Sequence, residues 1–442
     1  MANLSLQDAN TSSADKENIN IVFIGHVDAG KSTIGGRILV DTGMVDKRTL
    51  EKYEKESKEL NRESWYLSWA LDTNMDERAK GITVECGRAY FETAARRFTI
   101  LDAPGHKNFV PSMISGATQA DIALLVISAR KGEFETGFEK GGQTREHVTL
   151  AKTLGVKRLI VVVNKMDDPT VQWSKDRYDE IVEKLSPFIK GNRYNLKTDV
   201  TFMPISGFTG QNVKEPISKE VCAWWFGGPA LLPFLDTMPS PDRKYDAPLI
   251  MPISDKCKDM GTIVTGKLDS GCVAKGDSLV VMPTKQPVEV VAIYLEDLEV
   301  AKARAGDNVR LKLKGVEEED IQTGFVLCDA ANPVKAASSF VAQVAIQNIR
   351  NIMAPGFRAV LHIHSASEDV TLAKLESVLD KKTGQPAPKK PMFARQGDVV
   401  VAEFSLDRPV CMEPFDECGQ LGRFSLRNEG VTIAIGKVLR VL

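Results

Sequence analysis

A chain of 442 residues has room for about three domains of ordinary size. Its 43% hydrophobic and 26% charged residues are ordinary for a globular protein and exclude a low-complexity chain. The formal net charge of -2 excludes a molecule-wide polycation that coats nucleic acid, gives no support to DNA binding, and confines any RNA contact to local patches.

Cys86, Cys222, Cys257, Cys272, Cys328, Cys411 and Cys418 include no C-x-x-C pair, and their spacing fits neither a zinc site nor a disulfide framework. Met1 to Asn20 lacks the basic-then-apolar order of a secretory leader, and no apolar run approaches the roughly 18 residues of a membrane span. A cytoplasmic, reducing setting without a membrane is the economical expectation.

In chain order, polar residues 1–18 are expected to be a flexible segment. Ile21 to Ile24 reads as a strand, and Gly25-His26-Val27-Asp28-Ala29-Gly30-Lys31-Ser32-Thr33 then matches G-x-x-x-x-G-K-[ST] at every fixed position, followed by a helix-compatible run from Ile34 to Val40. Strand, loop and helix in that order cradle phosphate. Gly25 and Gly30 allow backbone angles that turn consecutive N–H groups toward one anion, Lys31 brings charge to the β- and γ-phosphates, and the Ser32 hydroxyl can ligate Mg²⁺.

Asp46 to Arg62 reads as a solvated helix, with Glu51 and Glu54 each four residues before a lysine. The aromatic stretch Trp65 to Leu71 leads into a charged loop from Asp72 to Thr83, where the Thr83 hydroxyl suits either a turn or a metal. Phe98 to Leu101 is a short strand ending in Asp102-Ala103-Pro104-Gly105-His106, which places a carboxylate near Mg²⁺ and a glycine N–H near a terminal phosphate.

The apolar runs Ile122 to Ser128 and Leu159 to Val163, with a helix from Gln143 to Leu154 between them, predict a doubly wound, mostly parallel sheet with ligands at the strand C-terminal ends. The second run closes on Asn164-Lys165-Met166-Asp167. A carboxylate at Asp167 can accept from the ring N–H and exocyclic amine of guanine, an arrangement adenine does not offer. After the strand Thr201 to Pro204, Ser206, Gly207 and Phe208 can present backbone N–H groups to the same base.

From Pro239 the pattern changes. Short alternating runs, Gly261 to Lys267, Ser278 to Met282 and Val288 to Tyr294, predict one β-barrel; Phe340 to Ile346, Ala359 to His364, Asp398 to Phe404 and Val431 to Leu439 predict another after a break at Asp329 to Pro333. The expected organisation is a flexible segment 1–18, an α/β P-loop GTP-binding domain 19–240, and two all-β barrels over 241–330 and 331–442. His362 and His364 fall on one strand face and are expected to pack rather than to bind metal, and Lys381 to Pro391 is expected to be a solvated loop.

These motifs, in this order and with two trailing barrels, resemble translational GTPases of the elongation factor Tu and elongation factor 1-alpha type. The blocks Asp46 to Tyr53, Trp65 to Asn74, Arg130 to Arg145, Asn164 to Thr170 and Gly422 to Val438 are more specifically similar to the class 2 eukaryotic peptide chain release factor GTPases. The resemblance implies that residues His26 to Thr33, Asp102, Gly105, Asn164, Lys165, Asp167 and Ser206 to Phe208 contact GTP or GDP, and that Ser32, Thr83 and, through water, Asp102 hold Mg²⁺. His106 would orient the attacking water, with Val27 and Ile82 beside it as an apolar gate; Lys31 and Thr83 would complete the catalytic set. It further implies a monomer that joins a class 1 release factor through the last barrel, Gly422, Arg423, Phe424 and Arg427 being the expected contacts, and that acts on the ribosome in stop-codon-dependent peptide release. A tRNA-carrying elongation factor, a ribosome-rescue GTPase and the GTPase subunit of a sulfate-activating enzyme share the architecture and stand as the alternatives.

Overall fold

The structure is a computed structural model and describes residues 16–59, 65–71, 83, 86–106, 109–139, 142–296, 298–380, 385–387 and 391–442. The expectations for residues 1–15, for most of the loop from Asp72 to Thr83 with Ile82, and for most of Lys381 to Pro391 lie outside the described residues. The chain forms two compact units, with the division between Pro241 and Asp242. Among the described residues no helix is long and apolar enough to cross a membrane.

The first unit is a six-stranded sheet built from β1 (Asn18–Gly25), β2 (Gly87–Glu92), β3 (Arg97–Asp102), β4 (Ile122–Ser128), β5 (Arg158–Asn164) and β6 (Val200–Pro204), in the order β2-β3-β1-β4-β5-β6. Asn18, expected in the flexible lead-in, is thus the first residue of the sheet. All neighbours are parallel except β2 and β3. Every residue of β1, β3 and β4 is buried, which is why these segments read as unbroken apolar runs: both faces of the sheet are covered.

The helices are α1 (Lys31–Asp41), α2 (Lys47–Glu59), α3 (Val110–Gln119), α4 (Glu133–Phe138), α5 (Gln143–Thr153), α6 (Lys175–Gly191) and α7 (Leu231–Thr237). Ile34 and Ile38 of α1 belong to one buried apolar cluster with Phe23, Leu124 and Val126 of the sheet. The charged α2 is started by Asp46, whose carboxylate accepts the Arg48 and Thr49 amides at 2.7 and 2.9 Å.

The second unit holds two closed, six-strand antiparallel barrels. The first comprises β7 (Ile250–Lys258), β8 (Thr262–Lys267), β9 (Cys272–Ala274), β10 (Ser278–Met282), β11 (Gln286–Leu295), β12 (Leu298–Val300), β13 (Lys302–Arg304), β14 (Asn308–Lys314) and β15 (Val326–Asp329). Its ring runs β10-β15-β7-β8-β14-β11 and closes by pairing β11 with β10; β12 extends β11, and β9 pairs with β13. The second barrel, β16 (Ala336–Ile346), β17 (Arg358–Ile363), β18 (Ala366–Leu379), β19 (Val399–Cys411), β20 (Arg423–Asn428) and β21 (Val431–Val441), closes as β16-β19-β18-β17-β20-β21. Phe340, Phe404 and Phe424 fill its centre with ring centroids 5.4 to 6.3 Å apart. Met282, Val326, Cys328, Val334, Cys411 and Leu421 form one apolar cluster between the two barrels, and the Ser365 hydroxyl donates to Ile253 O at 2.9 Å.

His362 and His364 do not share a strand face. β17 ends at Ile363, and His364 lies in the following turn at φ 41°, where its Nε2 is 2.9 Å from Cys411 O. Burial lowers both imidazoles to a pKa of about 4, and the Arg427 charge adds to the effect at His362. An unfolded histidine titrates near 6.5, so between pH 6.5 and 4 the unfolded chain binds protons that the folded one refuses. Stability therefore falls as pH falls through that window, by on the order of 1–2 kcal/mol per histidine at pH 5. The denaturant midpoint of the second unit is expected to drop between pH 7 and pH 5, with a shallower drop in the His362→Gln, His364→Gln double variant; equal slopes would contradict this.

Candidate active site

The strands β1, β3, β4 and β5 end along one edge of the sheet, and a cavity of about 510 Å³ opens there. At its phosphate end the chain leaves β1 through Gly25 at φ 144° and enters α1 through Gly30 at φ 97°. Both positions require glycine for space as well as angle. A Cβ on Gly25 would sit 2.4 Å from Val126 O, and one on Gly30 would sit 2.4 Å from Asn164 Nδ2. Lys31, the first residue of α1, folds back so that its Nζ donates to Gly25 O at 3.2 Å and His26 O at 2.9 Å. Burial lowers its pKa, and the charges of Asp102 and Asp28 oppose that shift.

Three oxygens meet beside it. The Ser32 hydroxyl donates to Asp102 Oδ2 at 2.6 Å, and Thr83 Oγ1 lies 3.4 Å from Ser32 Oγ. Asp102 is fully buried at the end of β3. Gly105 then passes so close to the phosphate loop that a Cβ there would be 2.5 Å from Lys31 Nζ and 3.0 Å from Val27 N. His106 follows, but its ring does not line the cavity and lies tilted against Phe109 with centroids 5.9 Å apart.

At the far end, the Asn164 side chain ties three segments together. Its Nδ2 donates to Ala29 O at 2.9 Å, and its Oδ1 accepts the Gly207 amide at 2.9 Å. Asp167 and Phe208 line the cavity beside it. The turn from Ser206 is closed by its own bonds: Ser206 Oγ accepts the Thr209 amide at 3.1 Å, and Ser206 O accepts the Gly210 amide at 2.9 Å. Of the residues expected from sequence, Val27, Asp28, Gly30, Lys31, Ser32, Thr33, Thr83, Gly105, Asn164, Lys165, Asp167 and Phe208 line the cavity. Ala29, Asp102, Ser206 and Gly207 frame it from behind, while His26 turns away and packs on Gly137.

The sequence pattern of the elongation factor Tu GTP-binding domain matches residues 16–250, that of elongation factor Tu domain 2 matches 261–328, and that of the GTP-eEF1A C-terminal domain matches 339–439. The chain belongs to the elongation factor Tu GTP-binding family. It is similar to the eukaryotic peptide chain release factor GTP-binding subunits of Kluyveromyces lactis and Schizosaccharomyces pombe, with 55% and 56% identity over 97% of this chain. The chain spans 61% and 64% of the length of those two relatives. The GTPase-like domain of S. cerevisiae Ski7, solved with GDP and inorganic phosphate, shares the fold at a TM-score of 0.79, with 17% identity over 98% of this chain and 99% of that one.

Within this family framework, the cavity rim carries a charged network that no sequence motif announced. Glu133 accepts from Ser128 Oγ at 2.7 Å, Lys165 Nζ at 2.8 Å and Arg130 Nη1 at 3.3 Å, and Arg130 Nε also donates to Asp168. Burial would raise the Glu133 pKa, but the hydrogen bonds from Lys165 and Ser128 outweigh it and hold the carboxyl below its ordinary value. The Thr170 hydroxyl and amide, with Arg130, lower Asp168 to about 2. Beneath the phosphate loop, the Gly25 amide donates to Nδ1 of the buried His147 at 3.1 Å. The pairing of Gly25 with His147 carries no local signal, since the two stand 122 residues apart.

The residues expected as partner contacts occupy different settings in the last barrel. Phe424 is fully buried in the aromatic centre of the barrel, and Arg427 braces the turn after β20 by donating to Thr432 Oγ1 at 3.1 Å and to Gly430 O. Gly422 is packed so tightly that a Cβ would meet Phe415 Cα at 2.5 Å. Arg423 is half-buried, with its guanidinium 4.9 Å from the Phe415 ring centre. Phe424 and Arg427 are buried parts of the barrel.

Asn164→Ala leaves the Ala29 carbonyl and the Gly207 amide without their buried partner, which is expected to cost about 1–3 kcal/mol for each group stranded. Chemical unfolding should show the first unit weakened by that order. A variant as stable as the parent would mean that the clip is dispensable.

Proposed function

We propose that the chain is a translation-termination GTPase, which binds GTP with Mg²⁺ in this cavity and hydrolyses it on the ribosome to release a bound class 1 release factor for peptide release at stop codons. The observation that supports this most is the convergence on one cavity of Lys31, Ser32 and Thr83 at one end and Asn164, Asp167 and Phe208 at the other. The chain is also more than half identical to relatives named as release factor GTP-binding subunits. The setting is the cytoplasm, and the chain is a monomer until it meets its partner.

The chemistry follows from the donors. Asp167 accepts from the guanine ring N–H and 2-amino group, and the turn at Ser206 to Phe208 offers N–H to the base edge; adenine would leave the carboxylate unpaired, a loss of a few kcal/mol, on the order of the cost of one stranded charged group. Lys31 offsets charge on the β- and γ-phosphates. Asp102 Oδ2 and Thr83 Oγ1 lie 2.6 and 3.4 Å from Ser32 Oγ, an all-oxygen set that suits a hard divalent cation. Ser32 and Thr83 would hold Mg²⁺ directly and Asp102 through water. When bound, the ion neutralises charge that builds on the phosphates during transfer.

His106 places the attacking water once it leaves Phe109. The phosphate loop carries no arginine to stabilise the transition state, and His106 rests outside the cavity, so turnover by the isolated chain is slow and the ribosome and partner accelerate it. His106→Ala is expected to bind GTP as the parent does while losing the stimulated hydrolysis; an unchanged stimulated rate would remove His106 from the mechanism. In a reconstituted system with stop-codon-programmed ribosomes and class 1 release factor, adding the chain with GTP should accelerate peptide release. No acceleration, together with tight binding of aminoacyl-tRNA, would assign it to delivery instead.

A further inference from the structure

Arg37 lies on α1, about one helical turn past the end of the phosphate-loop motif at Thr33, yet its side chain reaches the base end of the cavity. Its Nε donates to Gly207 O at 3.5 Å and its Nη2 to Phe208 O. Asp41, one helical turn on, holds the guanidinium from the other side at 3.7 Å, and the Asp41 carbonyl accepts Lys214 Nζ at 2.7 Å. The turn closes over the arginine stem: Gly210 sits at φ 81°, and a Cβ there would lie 3.3 Å from Arg37 Cδ.

A peptide unit is planar and trans, so its C=O and N–H point in opposite directions. Gripping Gly207 O therefore also sets the direction of the Phe208 N–H, which belongs to the same unit. That N–H donates to no acceptor among the described residues, and Phe208 lines the cavity. The neighbouring unit is already fixed, because Asn164 Oδ1 takes the Gly207 amide and Ser206 O takes the Gly210 amide. Arg37 supplies the remaining constraint.

We infer that Arg37 is a positioning residue for base selectivity, aiming the Phe208 N–H at the oxygen on C6 of a bound guanine. This rests on the reading of the cavity as a guanine-nucleotide site. The 6-oxo group of guanine accepts that N–H, whereas the 6-amino group of adenine would face it as a second donor. Asp167 reads the other edge, so the two halves of recognition are separable by analogue.

The test measures equilibrium binding of GDP, 6-thio-GDP and IDP to the parent chain, Arg37→Ala and Arg37→Lys. 6-Thio-GDP weakens the acceptor on C6, and IDP lacks the 2-amino group. In Arg37→Ala, GDP affinity is expected to fall about tenfold, the size of one lost hydrogen bond. The GDP to 6-thio-GDP ratio should shrink toward one, while the GDP to IDP ratio stays at the parent value. Arg37→Lys, which keeps a single donor group without the fork, should fall between, and it carries the test if the alanine variant fails to fold. Unchanged ratios with uniformly weaker binding would reduce Arg37 to a structural brace, and unchanged GDP affinity would overturn the role outright. A parent chain that binds no GDP would instead overturn the reading of the cavity, and this role with it.

Discussion

The two hydrogen bonds of the Asn164 side chain are what the first unit's site depends on. One reaches the phosphate loop at Ala29 O, the other the base-side turn at Gly207 N, and both are buried. A single amide has one donor end and one acceptor end, so it can join a carbonyl to an N–H and nothing else in that geometry. Because Gly30 has no Cβ, the amide can approach the loop; because Gly207 has none, the turn can approach both Asn164 and Ile34. The phosphate end and the base end of the cavity are thereby held at a fixed separation by one side chain.

Around that clip, charge is arranged in layers of decreasing burial. Lys31 and Asp102 are both buried; burial lowers the Lys31 pKa, and the charges of Asp102 and Asp28 oppose that shift. The rim network of Arg130, Glu133, Lys165 and Asp168 is more exposed, and there solvent screening leaves hydrogen bonds as the main source of order. His147 and Arg37 support the two ends from beneath and from the side. The His106 ring rests against Phe109 and does not line the cavity.

Much of this was legible in the sequence, and the reasons are physical. The strand Ile122 to Ser128 read off its own composition because a parallel strand buried on both faces has no polar positions. The glycines of the phosphate loop were legible because their φ values exclude other residues. β18 was not foreseen. Its sequence, ASEDVTLAKLESVL, buries Val370, Leu372 and Leu375, and the register shifts between Leu372 and Lys374 and between Leu375 and Ser377 break the alternation that identifies a strand. His364 misled for a related reason, since period two holds only until the chain turns. Arg37 and His147 were invisible because Gly207, Phe208 and Gly25, which they bond, are remote in sequence and each residue alone looks like a solvated helix position. Phe424 and Arg427 were expected from resemblance as partner contacts, and closure of the barrel buries both side chains, a burial their spacing did not announce.

The central claim is that this chain's cavity grips a guanine nucleotide and refuses an adenine one, and titration calorimetry of the purified chain with GTP and with ATP in the presence of Mg²⁺ tests it most directly. The account predicts saturable one-to-one binding of GTP and no measurable binding of ATP at the same concentrations. Absence of binding by both nucleotides, or equal affinity for the two, would contradict it.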